Sequence, residues 1–158
     1  MMERSATFSQ CRSYRYSLWR NWGNLLEGSG YAMFIGLNPS TADERNDDPT
    51  IRRCIAFAQA WGFDGLCMTN LFAYRATEPA DMLSQSDPVG EDNDKTLCDL
   101  AKGASLVVAA WGVNGTHLGR DARVKGMVPG LRCLRLTKKG HPGHPLYLPK
   151  TVTPVPFV

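Results

Sequence analysis

Four apolar runs in this chain each end in a polar motif, and this arrangement limits the possible folds more than any other feature. Each run has the length of a typical β-strand. The four runs are 31–35, 66–69, 106–110 and 131–136. The motifs that follow them are, in the same order, 36–40, 70–75, 111–115 and 137–145. If the runs are parallel strands joined by helices, all four motifs open at the carboxyl edge of one sheet. Ligands of open α/β sheets bind at that edge.

The segments between the runs carry helix signals. Asp48 as the N-cap and Pro49 at the first helical position predict a helix through Trp61. Further helices are predicted from Thr77 through Leu83, over 91–102 and, more weakly, over 116–126. Strands that alternate with helices indicate an α/β fold, with a mostly parallel sheet that helices cover on both faces.

The length of 158 residues predicts a single α/β domain over 1–158. Residues 1–30 are its least defined part, where Tyr14, Tyr16 and Leu18 alternate with polar residues and favour an extended strand. Residues 149–158 are Pro-rich, and we expect an extended tail. No apolar run approaches the roughly 18 residues of a membrane span. With no signal peptide in the N-terminal sequence, the expected location is the cytoplasm, without a membrane partner.

The net charge is only +3, but the charges are unevenly distributed. Residues 41–110 carry twelve acidic and six basic side chains. Residues 112–158 carry one acidic and eight basic side chains. A basic terminal third beside a His-Pro motif suits a polyanionic partner, so we expect DNA or a nucleotide. The alternative is a solvated surface with ordinary solubility charge.

Three polar residues stand out in the motifs. The Asn38 amide follows a tight Gly36 turn and can hold a water or a substrate group, unless it only caps the loop as an Asx-turn. Asn70 ends a buried strand, where its carboxamide can match the edge of a base or close a neighbouring loop. His144 lies in a stiff Pro-rich loop and can stabilise negative charge, unless it is an ordinary surface histidine. His141 is the more solvated of the two loop histidines.

An acidic cluster follows the first motif, formed by Asp43, Glu44, Asp47 and Asp48. Carboxylates are the ligands that Mg²⁺ prefers, so a metal-dependent phosphoryl-transfer enzyme is one alternative. The spacing matches no calcium loop, however, and Asp48 is already explained as a helix cap. The chain also has no P-loop, no GxGxxG, no Ser elbow and no CxxC pair. We therefore expect no metal and no cofactor.

The chain resembles the bacterial and phage family known as domain of unknown function 1643. The strings that carry the resemblance are GLNPSTADERNDDPTIRRC, WGFDGLCMTNLFAYRATEP, VVAAWG and TKKGHPGHPLYLPK. They extend over nearly the whole chain, from about Tyr14 to Pro149. This family name itself implies no activity.

The order of the motifs is also similar to that of the uracil-DNA glycosylase superfamily. That resemblance implies a three-layer α/β/α sandwich with a short, mostly parallel four-stranded sheet. It implies that Asn38 positions the attacking water and Asn70 reads the base edge, while His144 donates to the base O2 and Leu146 inserts into DNA. The first motif ends in Ser40 rather than Gly, which leaves the target base open.

The expected function is nucleic-acid base processing, by metal-independent hydrolysis of an N-glycosidic bond to a uracil-like or modified base in DNA. The other alternative is a non-catalytic nucleic-acid-binding relative. The expected catalytic residues are Asn38 and His144. The expected substrate-binding residues are Gly36, Pro39, Ser40, Asn70 and Arg75. The expected nucleic-acid-binding residues are Arg52, Arg53, Lys138, Lys139 and Leu146.

Overall fold

The computed structural model describes residues 2–157, which form one seven-stranded sheet and four α-helices. The strands are β1 (Glu3–Phe8), β2 (Arg15–Asn21), β3 (Tyr31–Gly36), β4 (Gly65–Asn70), β5 (Leu106–Ala109), β6 (Arg132–Cys133) and β7 (Val155–Pro156). The helices are α1 (Pro49–Ala60), α2 (Pro79–Leu83), α3 (Asn93–Gly103) and α4 (Arg120–Met127). Short 3-10 turns cover Val113–Gly119, interrupted by non-helical backbone at His117 and Leu118, and Pro145–Tyr147.

The sheet is larger and more mixed than the predicted four-stranded, mostly parallel one. Its strand order is β1-β2-β4-β3-β5-β6-β7. The parallel part is central: β3 pairs with β4 and β5, and β5 pairs with β6. Antiparallel strands extend it at both edges, β2 and β1 beyond β4 and β7 beyond β6. The prediction of the parallel centre is confirmed, and the predicted size was wrong because it left out the antiparallel edges.

Helices cover both faces of the sheet, as the sequence predicted. Alternate residues of β3 belong to two separate hydrophobic clusters, because successive side chains of a strand point to opposite faces. Phe34 packs in the cluster that contains Ile55 of α1. Met33 packs in the cluster that contains Leu97 of α3 and Val124 of α4. The result is a layer of helix on each side of one sheet.

The start of α1 agrees with the prediction. The Asp48 side chain caps the helix by accepting a hydrogen bond of 2.9 Å from the backbone nitrogen of Ile51, and Pro49 is the first helical residue. At the other end, the Trp61 ring stacks on Phe57 with a centroid separation of 5.3 Å. Helix α1 therefore begins directly after the 36–48 loop, and its C-terminal end packs in the core through Phe57 and Trp61.

Both ends of the chain have more structure than the sequence indicated. Residues 1–30 were expected to be the least defined part, with an extended strand around residues 14–18. That strand is confirmed as β2, and β1, which was not predicted, pairs with it antiparallel. The fourth run was predicted as a strand over 131–136, yet only Arg132–Cys133 pairs in the sheet. The Pro-rich tail is extended, and its residues 155–156 pair with β6. Residues 1 and 158 lie outside the described part of the chain. Among residues 2–157, no helix is long and apolar enough to span a membrane.

Candidate functional site

A cavity of about 710 Å³ opens at the carboxyl ends of the three central parallel strands β3, β4 and β5. The motifs that follow these strands form much of its wall, and the loop that carries His144 closes another side. The cavity therefore brings together the three residues that the sequence singled out, Asn38, Asn70 and His144. The other predicted residues that line it are Gly36, Pro39, Ser40 and Leu146.

The Asn38 carboxamide is held in one orientation. Its Nδ2 donates to the backbone carbonyls of Pro39 at 3.1 Å and Ala76 at 2.9 Å. A carbonyl can only accept, so the nitrogen must face these two groups. Oδ1 is then the atom that can accept a hydrogen bond from a water or a ligand in the cavity.

Asn70 is a buried residue whose backbone carbonyl is held by a neighbouring side chain. It is 2 % exposed, and its backbone carbonyl accepts a hydrogen bond of 2.9 Å from Nδ2 of the buried Asn93. In the parallel pairing of β3 with β4, Asn70 lies beside Gly36. A Cβ at position 36 would lie 2.9 Å from the Asn70 Oδ1. Because glycine has no side chain, position 36 leaves room for the Asn70 carboxamide.

His144 presents one defined ring donor. Its Nδ1 accepts a hydrogen bond of 3.2 Å from the backbone nitrogen of Leu146, so the proton of the neutral ring is on Nε2. Burial lowers the pKa of His144 below 6.5, and the negative charge of Asp48 only partly opposes this shift. At neutral pH the ring is therefore neutral, with Nε2 as its donor.

The loop around His144 is attached to the fold on several sides. The backbone nitrogen of Gly112 donates to the Pro142 carbonyl at 3.0 Å, and that of Gly143 donates to Arg135 at 2.7 Å. Arg53 of α1 donates from Nη1 to the Leu148 carbonyl at 3.2 Å. These bonds join the histidine loop to the end of β5, to the chain after β6 and to α1.

Three residues that line the cavity each have a buried donor atom without a partner. Five buried side-chain atoms in residues 2–157 lack a hydrogen-bond partner, and three belong to cavity residues: Arg15 Nε, Asn70 Nδ2 and Trp111 Nε1. All three are nitrogens that donate. Leaving a buried donor unpaired costs about 1–3 kcal/mol. The cavity is therefore suited to a ligand that presents hydrogen-bond acceptors.

Sequence analysis missed two charged residues of the cavity, Arg15 and Asp48. The sequence analysis counted Arg15 only as a polar residue of an alternating strand, but it is 2 % exposed. Asp48 was explained as a helix cap, which is confirmed, yet the same carboxylate also lines the cavity. The sequence signal for Asp48 was its position at the end of the loop that begins with the Asn38 motif. For Arg15 the sequence carried no such signal.

The remaining predicted residues lie outside the cavity wall. Arg75 lines a second groove of about 380 Å³, which shares Ser40, Thr41, Ala76 and Thr77 with the cavity. Arg52 is exposed and donates to the Asp47 carbonyl at 3.3 Å. Lys138 and Lys139 are exposed at the tip of the turn before His144. Their predicted contact with nucleic acid stays a prediction.

The acidic cluster is already occupied by structural partners. Asp47 pairs with the buried Arg20 at 2.8 Å and with Arg4 at 3.1 Å, while Glu44 pairs with Arg12 at 2.9 Å. Asp43 accepts from the backbone nitrogen of Asn46 at 2.7 Å. Within the part of the chain that the structure describes, no group of three or more His, Cys, Asp or Glu side chains converges as a metal site would require. These contacts give the cluster a structural role in the 43–48 loop.

Comparison with known proteins identifies a family. A family model described as protein of unknown function DUF1643 matches residues 15–146. No curated protein and no solved structure matches the chain. The matched segment contains the walls of the cavity from Arg15 to Leu146 and covers most of the sequence. The chain belongs to the DUF1643 family of proteins of unknown function.

Proposed function

We propose that the cavity binds a uracil-like or modified base of DNA and that the protein hydrolyses its N-glycosidic bond without a metal, in DNA repair or base modification. The observation that carries this proposal is that Asn38, Asn70 and His144 line one cavity, where Asn70 Nδ2 has no partner among residues 2–157 and His144 keeps Nε2 as a donor. A uracil-like base presents carbonyl oxygens as acceptors, which are the complement of these donors. The resemblance of the motif order to the uracil-DNA glycosylase superfamily supports the same interpretation.

Each side chain has a role that follows from the hydrogen-bonding atom that it does not use within the protein. The buried Asn70 carboxamide binds the edge of the base. His144 donates from Nε2 to a base oxygen, which carries the negative charge that develops as the base leaves. Donors that are fixed before the reaction stabilise this charge without reorganisation.

The water needs an acceptor for its proton, and an amide cannot be that group. Asn38 Oδ1 holds the water, while the carboxylate of Asp48 takes the proton. One Asp48 oxygen already accepts from Ile51, so its second oxygen performs this step. The water oxygen bonds to C1′, and the C1′–N bond breaks with its electron pair leaving on the base. The proton on Asp48 finally passes to the released base.

The test uses DNA duplexes that carry uracil, hypoxanthine, hydroxymethyluracil or a G·T mismatch, incubated with the protein in EDTA and then treated with hot alkali. We expect alkali-dependent strand breaks with one of these bases. Asn38→Ala and Asp48→Asn remove the breaks. His144→Ala lowers the rate by about 10²–10³, the usual effect of losing one preorganised donor. Asn24→Ala, an amide in an exposed turn outside the cavity, is the matched control and keeps full activity.

Two outcomes would refute this proposal. If no base is released while the protein still binds DNA at low salt, the protein is a non-catalytic binding relative. If the activity disappears in EDTA and returns with Mg²⁺, the metal-dependent alternative is correct, despite the structural partners of the acidic cluster.

A further inference from the structure

The cavity contains a buried cation that the proposed reaction does not use. Arg15, the first residue of β2, is 2 % exposed. Its Nη1 donates to the Ala42 carbonyl at 3.0 Å, while its Nε is buried and has no partner among the described residues. Burial lowers the pKa of Arg15 to about 10, so the guanidinium still carries its charge at neutral pH.

The other two buried arginines show what Arg15 lacks. Arg20 is paired with Asp47 at 2.8 Å, and Arg120 is paired with Asp94 at 2.7 Å. Arg15 has no carboxylate within 4.0 Å among residues 2–157, although Asp48 lines the same cavity. A buried charge without a counter-ion is strongly destabilising. Because Arg15 lines an open cavity, an anion from outside the chain can be that counter-ion.

A second arginine lies in the groove next to this cavity. The cavity and the groove share Ser40, Thr41, Ala76 and Thr77, so they form one continuous surface. In the groove, Arg75 and Arg12 both lie over the Phe8 ring, at 4.8 and 3.9 Å from its centroid. Arg12 is paired with Glu44 at 2.9 Å, whereas Arg75 has no carboxylate partner in the described part of the chain.

The chain therefore places two guanidinium groups, neither of them with a carboxylate within 4.0 Å among residues 2–157, on two adjoining surfaces that share residues with hydroxyl groups. Ser40, Thr41 and Thr77 lie between the cavity and the groove. Guanidinium forks and hydroxyls are donors that match the several oxygens of a phosphate. A carboxylate, with two oxygens, would use fewer of these donors.

We propose that Arg15, Arg75 and the hydroxyls between them form a phosphate-binding subsite, which holds a phosphate of the nucleotide whose base occupies the cavity. This inference rests on the proposed function for the identity of the base, but the phosphate contact can be tested independently. It makes Arg15 a substrate-binding residue and the substrate a nucleotide unit rather than a free base or a nucleoside.

The first experiment titrates the protein with inorganic phosphate and measures the heat of binding. We expect saturable binding, and an affinity that is at least about tenfold weaker in Arg15→Gln and in Arg75→Gln, because each variant loses a charge-assisted hydrogen bond. Lys102→Gln is the control with the same loss of charge, on an exposed residue of α3 outside both the cavity and the groove. Equal affinity in folded Arg15→Gln and in the unchanged protein would overturn the proposal.

A second measurement remains valid if Arg15→Gln does not fold. The Arg15 Nε–H signal in a nitrogen–proton NMR spectrum of the unchanged protein reports the contact directly. We expect it to shift with inorganic phosphate along the same saturation curve as the heat. No saturable heat of binding, or a signal that does not move while phosphate binds, means that Arg15 has only a structural role.

Three ligands identify the source of the phosphate. Tighter binding of deoxyuridine monophosphate than of deoxyuridine supports the subsite, and equal binding contradicts it. A trinucleotide with internal phosphodiesters only then separates a DNA strand from a free nucleotide. Binding of phosphate without any base release would refute the proposed reaction and keep the subsite. Base release without phosphate binding would refute the subsite and keep the proposed reaction.

Discussion

A single methyl group at position 36 tests the geometry of the cavity most directly. In the structure, a Cβ built on Gly36 lies 2.8 Å from the Met68 Cε and 2.9 Å from the Asn70 Oδ1. Both separations are shorter than carbon normally tolerates, so Gly36→Ala must displace both side chains. Met68 is flexible and can move at small cost, whereas Asn70 is buried between its neighbours. We therefore expect the substitution to act mainly through the Asn70 amide.

The expected size of the effect follows from overpacking. Extra methyl groups in a packed interior cost about 1–3 kcal/mol. For a chain of this length, each kcal/mol lowers the melting temperature by about 2–4 °C. We expect calorimetry to show a decrease of about 2–12 °C for Gly36→Ala. The side-chain amide signals of Asn70 in an NMR spectrum shift at the same time, and any base-release activity falls more than stability does.

The matched control is the same substitution in helix α4. Nothing lies within 4 Å of a Cβ built on the exposed Gly126. Alanine is a better helix former than glycine, so Gly126→Ala stabilises the protein by about 0.5–1 kcal/mol. If Gly36→Ala melts at or above the temperature of the unchanged protein and the Asn70 signals do not move, the argument from the close contact is wrong.

Three further predictions concern the residues around the cavity. Burial lowers the pKa of His144, so as the pH falls the histidine binds a proton in the unfolded chain before it does so in the folded protein. The free energy of unfolding therefore decreases as the pH falls below about 6.5. Urea titrations of His144→Gln show a smaller decrease. Asn93→Ala removes the donor to the Asn70 carbonyl and lowers the unfolding free energy by about 1–3 kcal/mol in urea, and no loss would contradict this hydrogen bond. Arg20→Met leaves Asp47 without its buried partner and costs about 3 kcal/mol by calorimetry; a variant as stable as the unchanged protein would show that the pair is dispensable.

The central part of the fold was predictable because its signals are local. Continuous apolar runs identified β3, β4 and β5, and the Asp48–Pro49 pair identified the start of α1. The edge strand β1 was missed because none of its six side chains is buried and its sequence has no regular polar–apolar alternation. Its pairing with β2 gives it its structure. Strand β6 lies inside the predicted run 131–136 but is only two residues long, and β7, also of two residues, is too short for any pattern to show.

The candidate site was predictable where a residue type and a strand end coincide, as for Asn38 and Asn70. The same reasoning failed for Arg15, since a charged residue between aromatic residues indicates a strand with one solvent-exposed face. Strand β2 instead lies between β1 and β4, with layers on both sides, so Arg15, Ser17 and Arg20 are all buried. Contacts such as Arg20 with Asp47 join residues 27 positions apart, and no local pattern reveals them.

The attachment of the histidine loop has a kinetic consequence. The hydrogen bonds of Gly112, Gly143 and Arg53 hold this loop against three different parts of the fold before any ligand arrives. A ligand then enters a pocket that is already formed, without a preceding opening step. Stopped-flow traces would accordingly show a single phase whose rate increases linearly with ligand concentration, instead of reaching the plateau that a slow conformational step imposes. Entry to this cavity would be limited by encounter, and salt concentration would be the main influence on its speed.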